Sequence, residues 1–282
     1  MSTTYAILLV LSSAIAHSVW NLFMKKSVHK ESFLWLIQTI AAVIFMPAFL
    51  HDLFTMDWTF QRTGLLLTSF VFQSVYLLLL AKAYKAGDMS QVYPMMRGSA
   101  ALLIPLLGLV IYEEELTHSG WLGLGLIVVG LFALSGIFKN RLTKQSIITI
   151  LLTGTIGISI TGYTLADKSI LLFMSPLGLL QIYNLAGVIA LGAPALRSKK
   201  VRQEWMLNRR LILIGSIMAP GSYLLFLMAM QFAPISHISP IREISIVFGT
   251  ILAWTVLKEK QGAGRIGYSA IILLGIILIG FF

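Results

Sequence analysis

Apolar runs of about twenty residues recur along this chain, at 5–24, 33–50, 64–80, 92–111, 120–138, 147–165, 175–196, 211–232, 238–257 and 266–282. Polar positions collect in short connections between them, the longest being the basic stretch 197–210. About twenty apolar residues is the length a helix needs to cross the hydrocarbon of a bilayer. The pattern therefore predicts ten transmembrane helices in 282 residues, with little chain left for a soluble domain. Pro94, Pro105, Pro176, Pro220 and Pro240 fall within or at the ends of runs. Bundles tolerate this, because neighbouring helices satisfy the backbone groups that proline frees.

The two halves resemble each other. A shift of 146 residues sets Ala83 on Ala229, Ser90 on Ser236, Pro94 on Pro240 and Glu113 on Glu259. A shift of 143 sets Leu22 to Lys25 on Leu165 to Lys168, and Trp20 on Tyr163. A near-constant offset at matching places points to duplication. Loop charge then orients the copies. Lys25, Lys26, Lys30, Lys82, Lys85, Lys139, Arg141, Lys144, the stretch 197–210, Lys258, Lys260 and Arg265 all fall on one face of a ten-span chain. The other face carries Arg62 and Lys168 with acidic Asp52, Asp57, Glu113, Glu114 and Glu115. The excess of Lys and Arg marks the cytoplasmic side, which places both termini outside. Equivalent loops differ in charge. The loop after span two is nearly neutral and its counterpart after span seven basic; the loop after span four is acidic and its counterpart after span nine basic. An odd number of spans per copy inserts the second upside down, as in inverted-repeat carriers. The expected fold is an all-α integral membrane protein of ten transmembrane helices in two inverted five-helix repeats, residues 1–140 and 141–282, forming one membrane domain.

Composition agrees with a lipid solvent: 57% of residues are apolar and only 11% charged, against about 25% charged in soluble domains. The formal charge of +10 raises nucleic-acid binding, but the basic residues sit in short loops, with no basic face carrying interleaved aromatics. With no cysteine, disulfides and thiolate metal sites are excluded. Ala14-Ile15-Ala16 looks like a signal-peptidase site, yet no Lys or Arg precedes the first run. That run is expected to be a retained helix.

Two segments now carry a resemblance: AYKAGDMSQVYP from Ala83 to Pro94, continuing to Glu113, and AMQFAPISHISP from Ala229 to Pro240, continuing to Glu259. With ten spans in two sets of five, a proline in the fourth span of each and an acidic residue closing it, the chain resembles the drug/metabolite transporter superfamily, in its EamA-like branch. His17-Ser-Val-Trp-Asn21 with Lys25 is similar to a first-helix pattern of some members. The resemblance covers essentially the whole chain and specifies fold far better than substrate. It implies a carrier of small polar metabolites working by alternating access. Small multidrug members of the superfamily carry an acidic residue midway along the first helix, where this chain has His17. That departure argues against cationic-drug export by their mechanism.

Charges inside apolar spans cost roughly 2.5–3.5 kcal/mol each on insertion scales and so mark function. Arg97 in span four and Arg242 with Glu243 in span nine fall at equivalent places a few residues after Pro94 and Pro240. One reading is a clamp in which guanidinium groups bind a carboxylate or phosphoryl group, with Glu243 poising Arg242. The plainer reading is that one arginine simply pairs with Glu243, or snorkels to the interface. His17 and Asn21 share one face of span one with Trp20 beside them, and Tyr163 and Thr164 are their counterparts in span six. His17 is the proton-coupling candidate, or else a histidine that hydrogen-bonds a neighbouring helix. Polar groups recur in the spans as Gln73, Tyr76, Tyr93, Gln181, Tyr183, Asn184 and Tyr223. They are candidate pocket walls, some serving packing instead. His237 is expected at the interface, and Asp167-Lys168 as an exposed pair at the end of span six.

No phosphate-binding loop is present, so ATP-driven pumping by this chain is not expected. The five histidines have no metal-ligand spacing, and no cofactor is expected. The resulting expectation is a secondary active transporter of a small polar metabolite, anionic or zwitterionic (an amino acid, organic acid or phosphonate), in the cytoplasmic (inner) membrane. Its substrate-binding residues would be Arg97, Arg242, Glu243, Trp20, Asn21, Tyr76, Tyr93, Tyr163, Tyr183, Asn184 and Tyr223. Its partners would be that solute, the bilayer and protons, as a monomer or homodimer. The competing class is an intramembrane enzyme or lipid-handling protein using His17 or Glu243 for acid–base work.

Overall fold

A computed structural model describes residues 2–86, 89–135, 144–258 and 263–281. Lys139, Arg141, Glu259 and Lys260, and with Glu259 the acid expected to close span nine, lie outside the described residues. Among the described residues the chain forms eleven helices: α1 Ser2–Lys26, α2 Lys30–Thr55, α3 Phe60–Ala86, α4 Met89–Ile111, α5 His118–Ser135, α6 Lys144–Ile170, α7 Pro176–Arg197, α8 Val201–Met230, α9 Ile235–Arg242, α10 Ile244–Thr255 and α11 Ala263–Phe281. Helices α9 and α10 together make span nine, so the ten expected spans are all present. Seven helices (α1 to α4 and α6 to α8) are long and apolar enough to cross a membrane, and α5 and α11 are shorter apolar helices.

Two expectations about span limits change. Span nine is jointed at Glu243 rather than continuous. The basic stretch after span seven is not all loop, because α8 starts at Val201, ten residues before its apolar run. A non-helical backbone at Asn208 (φ −124°, ψ 21°) kinks α8 there. The charged first turns are held by Glu204, whose carboxylate accepts the His29 backbone N–H at 2.7 Å and the Asn208 amide at 2.7 Å.

Large apolar side chains cover the outside as well as the core. Val43 is 74% exposed, Val110 76% and Ile217 67%, which no aqueous surface would favour. Trp58, Phe60 and Trp121 at one end of the bundle, and Trp205 and Trp254 at the other, are exposed too, as membrane-interface aromatics are. This is a multi-pass membrane protein.

The packing joins the two halves rather than separating them. Helix α2 lies along α7, α5 along α11, α1 along α8 and α3 along α6; α4 meets α6 and α9, and α1 meets α10. Where α5 crosses α11 the backbones nearly touch. A methyl at Gly123 would lie 2.6 Å from the Gly275 carbonyl oxygen, and one at Gly275 would lie 2.5 Å from that of Gly123. Only glycine on both sides permits this approach. Acidic side chains fasten helix starts across the halves. Asp52 accepts from the Ser175 N–H (2.9 Å) and hydroxyl (2.6 Å) at the head of α7. Glu114 accepts the N–H groups of Ile235 and Ser236, both at 2.8 Å, at the head of α9. Each satisfies donors a helix cannot satisfy itself and places negative charge at the positive end of its dipole.

Candidate functional site

Span nine supplies the charged residues, and its regular helical bonding is interrupted where they occur. Pro240 has no N–H, so the regular helical bond at its position is lost. The chain then tightens: the Glu243 N–H bonds the Pro240 carbonyl at 3.0 Å and the Ile246 N–H bonds the Glu243 carbonyl at 2.9 Å. These are three-residue rather than four-residue closures. Arg242 thus ends α9 and Glu243 heads α10, each with the sign its half-helix dipole favours.

Glu243 does not pair with Arg242. Its Oε2 accepts from Arg97 Nε at 3.0 Å and its Oε1 from Arg97 Nη2 at 2.5 Å. This bidentate pair, buried between α4 and span nine (side chains 6% and 1% exposed), corrects the expectation that Glu243 poises Arg242. The reason is geometric, since adjacent residues on a helix point in different directions. Arg242 instead lies over aromatic rings, its guanidinium carbon 4.3 Å from the Phe226 ring centre and 5.5 Å from that of Tyr223. It is 4% exposed, and its Nε has no hydrogen-bond partner among the described residues.

Arg242 faces a small cavity. His17 and Trp20 from α1 line it with Tyr76 (α3), Tyr163 (α6), Tyr183 (α7) and Tyr223 (α8); Ala219 and Ser222 complete the α8 wall. Space for the centre of a water-sized sphere is about 10 Å³, enough for about one water. The tyrosine rings form a chain, with centres 5.7 Å apart for Tyr76–Tyr163, 5.9 Å for Tyr163–Tyr223 and 5.5 Å for Tyr183–Tyr223. The Trp20 indole N–H donates to His17 Nδ1 at 3.1 Å. Since an indole N–H can only donate, that nitrogen must be unprotonated.

The structure thus gathers seven of the expected residues around one cavity: His17, Trp20, Tyr76, Tyr163, Tyr183, Tyr223 and Arg242. The other five do not line it. Arg97 and Glu243 hold each other beside it. Tyr93 stacks on His17 (6.1 Å between centres) and bonds Ser245 at 3.1 Å. Asn21 accepts from the Tyr84 hydroxyl at 2.9 Å. Asn184 donates to Gln181, which in turn donates to the Ala42 carbonyl. His237 lies one turn into α9 with Nε2 3.0 Å from the Glu115 carbonyl.

A second expectation fails at Asp167. Far from an exposed pair with Lys168, Asp167 is wholly buried. It accepts from the Ser69 hydroxyl at 2.5 Å, the Gln73 amide at 3.2 Å and the Tyr223 hydroxyl. Lys168 turns away and donates to the Met230 and Ala233 carbonyls. The signal lay in helical spacing: Asp167 is one turn beyond Tyr163 on the same face.

Among the described residues, no three His, Asp or Glu side chains gather as a metal site would require. The profile of the EamA-like transporter family matches the chain twice, over residues 4–136 and 138–281. No curated protein matches it. One solved structure, described only as "Crystal structure of protein", aligns with a TM-score of 0.71 over 98% of this chain and 96% of its own, at 14% identity. At that identity the likeness speaks for the fold alone.

Proposed function

The chain belongs to the EamA-like transporter family, and on that footing we propose that it is a secondary carrier for a small solute bearing a carboxylate or phosphonate group. Members of this family are membrane transporters of the drug/metabolite type, not enzymes. The observation that carries the substrate class is the state of Arg242. It is a buried cation whose neighbouring carboxylate makes its bidentate pair with Arg97, so its guanidinium faces the aromatic cavity with Nε unpartnered among the described residues. An anionic group entering there gains a desolvated guanidinium with bidentate geometry. Rings on the other walls suit an apolar or cationic remainder, such as an amino acid's side chain or an aminophosphonate's ammonium. His17, with Nδ1 engaged by Trp20, contributes a wall and remains a proton-transfer candidate.

We further infer that the second five spans are an inverted copy of the first. Two family-profile matches, one per half, support this. So do the reciprocal packings of α1 on α8 and α3 on α6, which map onto each other under the repeat. Alternating access would then be a rocking of the bundle around the Arg242 cavity, whose present volume is too small for any metabolite. The loop charges favour a cytoplasmic membrane with both termini outside. Because the sequence has no cysteine, single cysteines at Thr117 and Ser198 report sidedness cleanly. Labelling of Thr117→Cys from the cytoplasm would reverse the orientation.

The test is counterflow in proteoliposomes with alanine, succinate and 2-aminoethylphosphonate as probes. At least one probe should exchange with wild type, and R242Q should abolish that exchange while still inserting. Wild-type counterflow in R242Q removes the anion site.

A further inference from the structure

Asp167 is buried in the core without lining the substrate cavity, and its surroundings differ from those of the other carboxylate beside the cavity, Glu243. Glu243 is locked to a guanidinium. Asp167 has no Lys or Arg within ion-pair distance among the described residues, and its contacts are two hydroxyls and an amide. Hydroxyls donate or accept by rotating, whereas a guanidinium only donates. Ser69 and Tyr223 therefore suit either the carboxylate or the carboxylic acid. Gln73 adds to this freedom: its amide also donates to Ser69 Oγ at 2.8 Å, and its Oε1 is buried without a partner.

We propose that Asp167 is the proton-binding group of this carrier, taking up one proton for each anion held at Arg242. The proposal rests on the carrier reading above. The chemistry is one O–H bond formed on the carboxylate from water on the loading side and broken to water on the other. A proton is the ligand the geometry admits. Ser69 donates to one carboxylate oxygen, and Gln73 and Tyr223 to the other.

Tyr223 links the two sites. Its hydroxyl donates to Asp167, while its ring forms both the cavity wall and part of the platform under Arg242. The remaining titratable or charged groups around Asp167 do not neutralise it. They are Tyr76 on α3, Arg97 on α4, Tyr112 just beyond α4, and Tyr163 and Lys168 on α6. Arg97 is held by Glu243, Tyr112 bonds the Leu165 carbonyl and Ser169, and Lys168 bonds carbonyls. Empty, the core holds one unpaired cation and one unpaired anion, bridged by a tyrosine. Loaded with anion and proton, it holds neither. Half-loaded, it holds a single buried charge, the state a low-dielectric interior disfavours most. That asymmetry couples the two ligands.

The experiment uses the same three probes with the membrane potential clamped at zero by potassium and valinomycin. One proton per cycle supports about tenfold accumulation for a gradient of one pH unit. Wild type should show it. D167N should lose the accumulation while retaining counterflow; R242Q should lose both. An infrared band of a protonated carboxyl should appear in wild type as pH falls and be missing in D167N, with or without probe. If D167N does not fold, S69A serves: the midpoints of the infrared band and of transport should move together, and movement of one alone overturns the assignment. Gradient-driven accumulation that survives in D167N, that is lost only in H17Q, or that follows sodium instead of pH also overturns it. Absence of wild-type counterflow with every probe would count against the carrier's substrate class, while the infrared result still decides Asp167.

Discussion

Arg97 and Glu243 are bonded to each other through two contacts, and they stand 146 residues apart, the offset that aligns Pro94 with Pro240. The two positions matched by that offset are each other's partners. Single replacement of a buried ion-pair member leaves an uncompensated charge and costs about 3–5 kcal/mol. R97Q and E243Q are therefore each expected to lower the thermal midpoint in detergent sharply. The swap R97E/E243R should recover much of the loss, because equivalent positions exchange roles. Singles as stable as wild type would show that the pair does not hold the bundle.

Tyr223 has two separable parts. Y223F keeps the ring beneath Arg242 and removes the hydroxyl that Asp167 accepts from. Counterflow should persist with an affinity near wild type, while the accumulation driven by a pH gradient declines. Y223A removes both parts and should impair both measurements. Equal loss of counterflow in Y223F and Y223A would contradict the division.

The α5–α11 crossing predicts a contrast between two glycines two residues apart, on opposite sides of α5. Gly123 meets the Gly275 backbone, whereas a methyl at Gly125 would find nothing within 4 Å. G123V should destabilise by about 1–3 kcal/mol, the usual cost of overpacking, and G125V by much less. Thermal melting of the two purified variants decides it.

Lys199, just past α7, is exposed and has φ 55°, a left-handed conformation that costs side-chain-bearing residues about 1–2 kcal/mol. K199G should stabilise the protein, by up to about 1 kcal/mol after glycine's greater unfolded-state entropy is subtracted. A lower melting temperature for K199G would show that the lysine makes a compensating contact.

The spans were legible because apolar length is a property of the sequence itself. Within the site, the residues that were legible are aromatic or cationic groups placed where lipid would exclude them. The Arg97–Glu243 pairing was legible only as the plainer alternative, in which one arginine simply pairs with Glu243. Adjacency in sequence joined Glu243 to Arg242, although residues one apart on a helix diverge by about 100°. Adjacency also coupled Asp167 to Lys168 and hid its burial, since the donors that hold it come from α3 and α8. Likewise the basic letters after span seven read as loop, whereas α8 already begins at Val201, with Glu204 in its first turn bonded to the His29 N–H.

Span nine is two helices meeting at Glu243, whereas α4, its counterpart under the proposed repeat, is one uninterrupted helix despite two prolines. Levers of unequal stiffness do not yield equally to the same push. The stroke that flexes the joint should be quicker than the stroke that must tilt α4 whole. The carrier would then behave as a rectifier, with turnover in one direction outpacing the other at matched gradients. Initial rates from inside-out and right-side-out vesicles would reveal such a bias, and equal rates would mean the joint is mechanically silent.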